Sequence, residues 1–331
     1  MLHITFFSRK SNPKFVSIEK LFNTIKMALE KKGATVTVVE APNEGGLFGM
    51  IKTLFFFKKK QNQINHVTGA IHWSVLLLNR GKTVLTIHDF GNFQEYRGVK
   101  KWLYFYIWLY FPLRKLKYIT VISEKTKREI VGYLPWAESK ISVIPNCLTI
   151  PFDENIEKNK NEKPILLCVG YYEKKNIDRV FEAAVGTSVK IYHVGFLSEE
   201  RIEFLNHHNI EYTNFHQIDE ETLIKCYSEA DILCFPSLYE GFGLPILEGQ
   251  AKKCAVITSN ISPMKEVAGS GAVLVDPFSV EEIREAILKV VQEEDFKQEL
   301  IKKGIQNVKN YLPEKIADLY LELYKKIADE A

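Results

Sequence analysis

Short apolar, β-branched runs alternate with helix-spaced patterns along almost the whole chain, the arrangement of parallel sheets covered by helices. In the first half it predicts strands at HITFF, ATVTVVE, NHVTG, TVLTIHD, YITVIS and ISVIP, and in the second at PILLCVG, VKIYHVG, IEYTNF, DILCFPS, AVITS and AVLVD. The expected fold class is therefore α/β, with two doubly wound domains in tandem. Pro151 to Pro164 is polar, bounded by proline and without an apolar period, as a linker would be. The expected division is a domain over 1–150, a linker over 151–164, a second domain over 165–311 and a closing helix over 312–331.

Ser17 is placed to cap a helix whose apolar positions Ile18, Leu21, Phe22, Ile25, Ala28 and Leu29 follow helical spacing as far as Gly33. The last helix starts with a proline in its first turn and carries Ile316, Leu319, Tyr320, Leu323 and Ile327 on one face. It is expected to lie across a domain junction.

Composition excludes disorder: 46% of the 331 residues are hydrophobic and 26% charged, enough for two separate cores. The apolar start of the chain is too short for a signal peptide or a membrane span, so it reads as the first buried strand of a cytoplasmic enzyme. Cys147, Cys168, Cys226, Cys234 and Cys254 lie far apart without metal-ligand spacing and read as reduced core residues. Net charge is only +3, but residues 1–150 hold 23 basic and 9 acidic side chains, so a basic half precedes an acidic one.

The candidate chemistry begins in PSLYEGFGLPILEGQ, Pro236 to Gln250. A strand passes through a loop into a helix with Pro245 in its first turn, and Gly241 and Gly243 let backbone N–H groups approach a ligand. An anion, most naturally a phosphate, fits there. Glu240 and Glu248 border the same place from opposite ends, and carboxylates accept hydrogen bonds from diols. Phosphates between two hydroxylated ends describe a nucleotide sugar.

EGFGLPILE resembles the paired-glutamate signature of the retaining GT-B glycosyltransferases, glycosyltransferase family four or glycosyl transferases group one, and the similarity extends over nearly the whole chain. The resemblance implies the GT-B architecture, two Rossmann-like domains facing a central cleft. It implies that Glu240 contacts the donor sugar and Glu248 the ribose hydroxyls. VGYYEKKN resembles the family's turn that holds the donor pyrophosphate, which brings in Gly170 and Tyr171 and would make Lys175 the cation; NFHQIDEETLIKCYSEADILCFPS resembles the family's segment whose backbone, around Ile218 here, reads the nucleotide base. His88, at the end of VLTIHDF, resembles the family's histidine facing the donor sugar. With the N–H groups of Phe242, Gly243 and Leu244 beside the diphosphate, the implied catalytic set is Glu240, His88 and Lys175.

The chain also departs from the family's pattern. Tyr171 stands where arginine is usual, Gln217, Cys147 and Lys253 where glycine is usual, and FSRKSNPKFVSIEK replaces a glycine-rich loop. Either Lys175 then carries more of the pyrophosphate charge or Arg9 and Lys10 help, and Ser17 with its helix N-terminus is expected to stand in for the missing loop.

His66 and His72 lack a motif and read as core histidines. KKWLYFYIWLYFPLRKLK and GLFGMIKTLFFFKKK are too short to span a bilayer. The first reads either as a buried helix stopped by Pro112 or, like the second, as an interfacial face at an anionic inner-leaflet surface. No nucleic-acid recognition motif, Walker loop or dinucleotide fingerprint is present, and no aspartate pair suited to a bridging metal.

The expected function is a retaining, metal-independent hexosyltransferase. It would use a nucleotide diphosphate donor, UDP favoured over GDP, and a hydroxyl of a glycan or lipid-linked acceptor in cell-surface polysaccharide or glycoconjugate synthesis. No cofactor, metal or nucleic acid is expected. The alternatives are a nucleotide-sugar epimerase of the same fold and an inactive GT-B subunit that binds a donor or partner.

Overall fold

The computed structural model describes residues 1–10, 17–42, 46–90, 93, 96–158 and 161–330. All twelve expected strands form, in two parallel six-stranded sheets. The chain divides into two compact units, Met1–Thr149 with Leu312–Ala331, and Ile150–Tyr311.

The first unit holds β1 (His3–Ser8), β2 (Thr35–Glu40), β3 (Ile64–Val67), β4 (Thr83–Ile87), β5 (Tyr118–Val121) and β6 (Ile141–Val143), in the spatial order β2-β1-β3-β4-β5-β6. The second holds β7 (Ile165–Val169), β8 (Lys190–Val194), β9 (Tyr212–Phe215), β10 (Ile232–Phe235), β11 (Ala255–Ser259) and β12 (Ala272–Val275), in the order β12-β11-β10-β7-β8-β9. Strand order reverses between β1 and β3 in one sheet and between β7 and β10 in the other. Helices leave in opposite directions at such a point and open a crevice at the carboxyl ends of the strands.

The Ser17–Lys31 helix buries Leu21, Phe22, Ile25, Ala28 and Leu29, as its spacing predicts. The Pro313–Asp329 helix packs on the first unit and buries Ile316, Ala317, Tyr320, Tyr324 and Ile327. Its buried stripe differs from the expected one: Leu319 faces solvent, and Tyr324 goes inside because its hydroxyl meets the buried His66 Nδ1 at 2.6 Å. His66 Nε2 is 2.7 Å from Thr86 Oγ1, which in turn lies 2.6 Å from Thr120 Oγ1. Burial holds the His66 pKa down at about 3, so the ring is neutral. As expected, it is a core histidine.

The second correction concerns Pro112. The helix does not stop there: Gly98–Tyr104 continues through π-helical Phe105–Tyr110 into Phe111–Lys115. Proline has no N–H for the carbonyl four residues back, that of Trp108. His72 Nδ1 supplies the missing donor, at 2.9 Å from the Trp108 oxygen. A proline in mid-helix is thus tolerated because a side chain from another element satisfies the orphaned acceptor. His72 is buried with a pKa lowered to about 4, mainly by desolvation. The Gly98–Tyr104 portion buries none of its residues, contrary to a fully buried helix.

All five cysteines are buried and free. Among the described residues no helix is long and apolar enough to cross a membrane.

Candidate active site

Two loops, one leaving β7 and one leaving β10, build the crevice of the second sheet. After β7 the chain turns through Gly170 at φ +104° into a single 3-10 turn, Glu173–Lys175. A Cβ on Gly170 would lie 2.7 Å from Lys175 Cγ, so only glycine lets the lysine side chain cross this backbone. Lys175 Nζ lies 4.7 Å from the centroid of the Phe235 ring, at the end of β10, and donates to Glu240 Oε1 at 2.7 Å. Both side chains keep some access to solvent, 17% for Lys175 and 14% for Glu240.

Two further links lock the loops after β7 and β10 together. The Leu238 N–H donates to the Lys174 carbonyl at 2.8 Å. Buried Asn176, at φ +61°, donates from Nδ2 to the carbonyls of Pro236, at 3.0 Å, and Pro277, at 2.6 Å. Cation and carboxylate therefore face the crevice from a braced frame.

The loop then passes Gly241 and buried Phe242 to Gly243, which caps the Leu244–Ala251 helix in a left-handed conformation at φ +105°. N–H groups that open a helix point out of its end, where the positive pole of the dipole lies. One turn further on, Glu248 is only 8% exposed, and its Oε2 accepts a 2.8 Å hydrogen bond from the buried Tyr227 hydroxyl. Burial, then the Glu248 charge, pushes Tyr227 well above its ordinary pKa of 10, so it stays a donor. Tyr227 fixes the rotamer of Glu248, yet no spacing marks it in the sequence. Asn176 closes the VGYYEKKN turn, but its bracing bonds carry no sequence signal, nor do the contacts of Phe235.

The remaining candidates lie elsewhere. Tyr171 is exposed, its hydroxyl 2.8 Å from that of Tyr172, and half-buried Ile218 follows β9 at the sheet edge. His88 belongs to the first unit, directly after β4, and its Nε2 lies 2.9 Å from the Thr68 carbonyl oxygen. A carbonyl only accepts, so Nε2 carries the proton and Nδ1 is left as an acceptor. Dense packing lowers the His88 pKa although part of the residue reaches solvent, which keeps this neutral tautomer dominant. Arg9 is gripped by Glu19, 2.6 Å from Nε and 3.2 Å from Nη2. Ser17 opens its helix, but the chain just before it, 11–16, lies outside the described residues, and so does any cradle built from it.

A family model described as Glycosyl transferases group 1 matches residues 150–307, and one described as Glycosyltransferase Family 4 matches 51–150. The chain belongs to this glycosyltransferase family. Among curated relatives, the O-antigen chain mannosyltransferase B of Escherichia coli is 32% identical over 106 residues, 32% of this chain and 28% of that protein. The serotype-specific mannosyltransferase WbdA of Escherichia coli is 26% identical over 246 residues, 66% of this chain and 30% of that protein. The O-antigen chain mannosyltransferase RfbU of Salmonella typhimurium is 25% identical over 228 residues, 67% of this chain and 64% of that protein. The matches thus span less than a third of the first two relatives' length.

Solved structures match over full length. A glycosyltransferase from Rickettsia africae superposes with a TM-score of 0.77 at 18% identity, covering 100% of this chain and 99% of that one. HepE of Anabaena, in complex with UDP and glucose, gives 0.75 at 14% identity, covering 98% of this chain and 100% of that one. At these identities the likeness establishes the GT-B fold.

Three departures from the family pattern now have a physical description. Gln217 and Lys253, where the family usually has glycine, sit at φ +56° and +57°. The left-handed backbone that suits glycine is kept while the glycine is not, at about 1 kcal/mol or more each. Cys147 is fully buried against the C-terminal helix, where a side chain fills space that glycine would leave.

Proposed function

We propose that this glycosyltransferase moves a hexose from a nucleotide diphosphate donor to a hydroxyl of a glycan or lipid-linked acceptor, with retention at the anomeric carbon, in the synthesis of a surface polysaccharide. The observation that carries the proposal is the 2.7 Å Lys175–Glu240 pair at the switch point of the second sheet, beside a helix N-terminus. Lys175 and the N–H groups of Phe242, Gly243 and Leu244 would take the diphosphate. Glu240, freed from Lys175 as the phosphates arrive, would orient the sugar and offset its developing positive charge. Glu248, held by Tyr227, would accept hydrogen bonds from the ribose hydroxyls, and His88 Nδ1 would accept one from a sugar hydroxyl.

In the reaction the bond between the anomeric carbon and the phosphate oxygen breaks, its electron pair leaving with the diphosphate. The acceptor oxygen bonds to the same face of that carbon, and its proton passes to a donor phosphate oxygen. With Lys175 and the helix terminus supplying the positive charge, no bridging metal is needed. A UDP-sugar remains the preferred donor class with a GDP-sugar as the alternative, and the mannosyltransferase relatives make mannose the first sugar to test. The test is a thermal-shift panel of UDP- and GDP-sugars, followed by nuclear magnetic resonance of the product with the best donor. A stabilising donor and a retained anomeric configuration are expected. Binding without transfer points to a non-catalytic subunit, an altered sugar without transfer to an epimerase, and no stabilisation by any donor removes the proposal.

A further inference from the structure

Two helices of the first unit present apolar faces outward. In the Gly46–Lys58 helix, Gly49, Thr53 and Phe57 form the buried stripe, while Leu47, Phe48, Ile51 and Phe55 form an exposed one at helical spacing. Phe48 is 89% exposed. The Gly98–Tyr104 helix repeats the arrangement with Val99, Trp102 and Leu103, all at least 46% exposed, and Phe111 follows at 50%. Helices on a water-facing surface normally show the reverse. The Gly46–Lys58 helix and the Phe105–Lys115 continuation of the other helix both pack on the His72–Leu77 turn, and the two segments share one core cluster, so their outer faces flank one part of the unit.

Charge selects the occupant of this face. Residues 46–60 contain Lys52, Lys58, Lys59 and Lys60 and no acidic residue. Residues 97–117 contain Arg97, Lys100, Lys101, Arg114, Lys115 and Lys117, again with no acidic residue. Among the described residues none of these ten forms an ion pair, although lysines elsewhere in the chain pair repeatedly, as in Lys26–Glu30 and Lys125–Glu129. Several lie over aromatic rings, Lys100 at 4.2 Å from the Tyr96 centroid and Lys101 at 4.7 Å from that of Phe93. A second protein copy would bring the same positive charge to the same face. An anionic bilayer instead offers phosphates to the lysines and an apolar interior to the phenylalanine and tryptophan rings.

We infer that this face of the first unit docks on an anionic membrane surface, with Phe48, Phe55, Trp102 and Phe111 entering the headgroup boundary and the ten basic side chains ringing them. The inference does not depend on the reading of the donor site.

Cosedimentation with phosphatidylcholine vesicles, with and without phosphatidylglycerol, tests it at about 50 mM and about 500 mM salt. Binding is expected only with phosphatidylglycerol and weaker at high salt. It should fall about tenfold or more in the Lys58→Glu, Lys59→Glu, Lys60→Glu variant, and likewise in Phe48→Ser with Trp102→Ser, with melting temperature and donor binding unchanged. Equal partitioning to both vesicles, no binding at low salt, or indifference to both variants overturns the inference. So does a wild-type dimer that Phe48→Ser with Trp102→Ser converts to a monomer, which would assign the face to a second copy.

Discussion

Two polar clusters, one in each unit, are built differently. Around His66 in the first unit every group is neutral and inward-facing: both ring nitrogens are engaged, by Tyr324 and Thr86, and the histidine is 0% exposed. Around Lys175 in the second unit the groups are charged, meet each other through a single 2.7 Å bond, and remain within reach of solvent. A saturated neutral network holds structure together, here a C-terminal helix against a sheet. A charged pair at a strand reversal, braced from behind by Asn176 and beside a helix N-terminus, leaves capacity for something that arrives. Removing groups from the first cluster should therefore cost stability, and from the second, function.

The largest expected effect comes from Lys175→Ala. It should lower turnover by about a hundredfold or more, as loss of a preorganised group facing developing charge does, while the partly solvated ion pair contributes little to stability. Steady-state kinetics beside a thermal melt measures both. Turnover within about threefold of wild type would erase the contrast between the clusters.

Acid should act on the first cluster instead. Folded His66 stays neutral down to about pH 3, whereas the unfolded chain takes up that proton below about 6.5. Between these values the unfolded state binds more protons, so stability falls as pH falls, by about 1.4 kcal/mol per unit once well below 6.5. His72, lowered to about 4, adds in the same direction over its own window. Denaturant titrations at pH 7 and pH 5 should show the decline, and His66→Gln should show a shallower one. An identical slope in the variant would contradict the assignment.

Tyr324→Phe should cost about 1–3 kcal/mol by leaving a buried His66 nitrogen without its partner, with the donor dissociation constant unchanged. Urea denaturation and a donor titration on the same sample decide it. A weakened donor with unaltered stability would reverse the roles given to the two clusters.

The smallest effect is a gain. Lys253→Gly, and Gln217→Gly independently, should each stabilise the second unit by about 0.5–1 kcal/mol, the relief of left-handed strain exceeding the added freedom of the unfolded glycine. A drop in melting temperature for both would mean that the side chains contribute more than the backbone loses.

Much of the fold is readable because parallel strands buried on both faces leave unbroken apolar runs, and all twelve strands form where such runs stand. The pairing of Lys175 with Glu240 lies between positions that spacing and resemblance single out. What escapes the sequence is tertiary. Pro112 reads as a stop because nothing local announces that His72 will satisfy the Trp108 carbonyl. Leu319 reads as buried because helical spacing cannot say where a stripe ends when Tyr324 finds a partner in the core. Tyr227 carries no pattern, since its role exists only once its helix has packed beside Glu248.

That the second cluster is the nucleotide site is tested most directly by calorimetric titration of UDP and of GDP into wild type and Glu248→Ala. One of the two nucleotides should bind wild type and bind the variant about ten- to a hundredfold more weakly, as loss of charge-assisted hydrogen bonds to ribose requires. Equal affinity for that nucleotide in a folded variant would contradict the account.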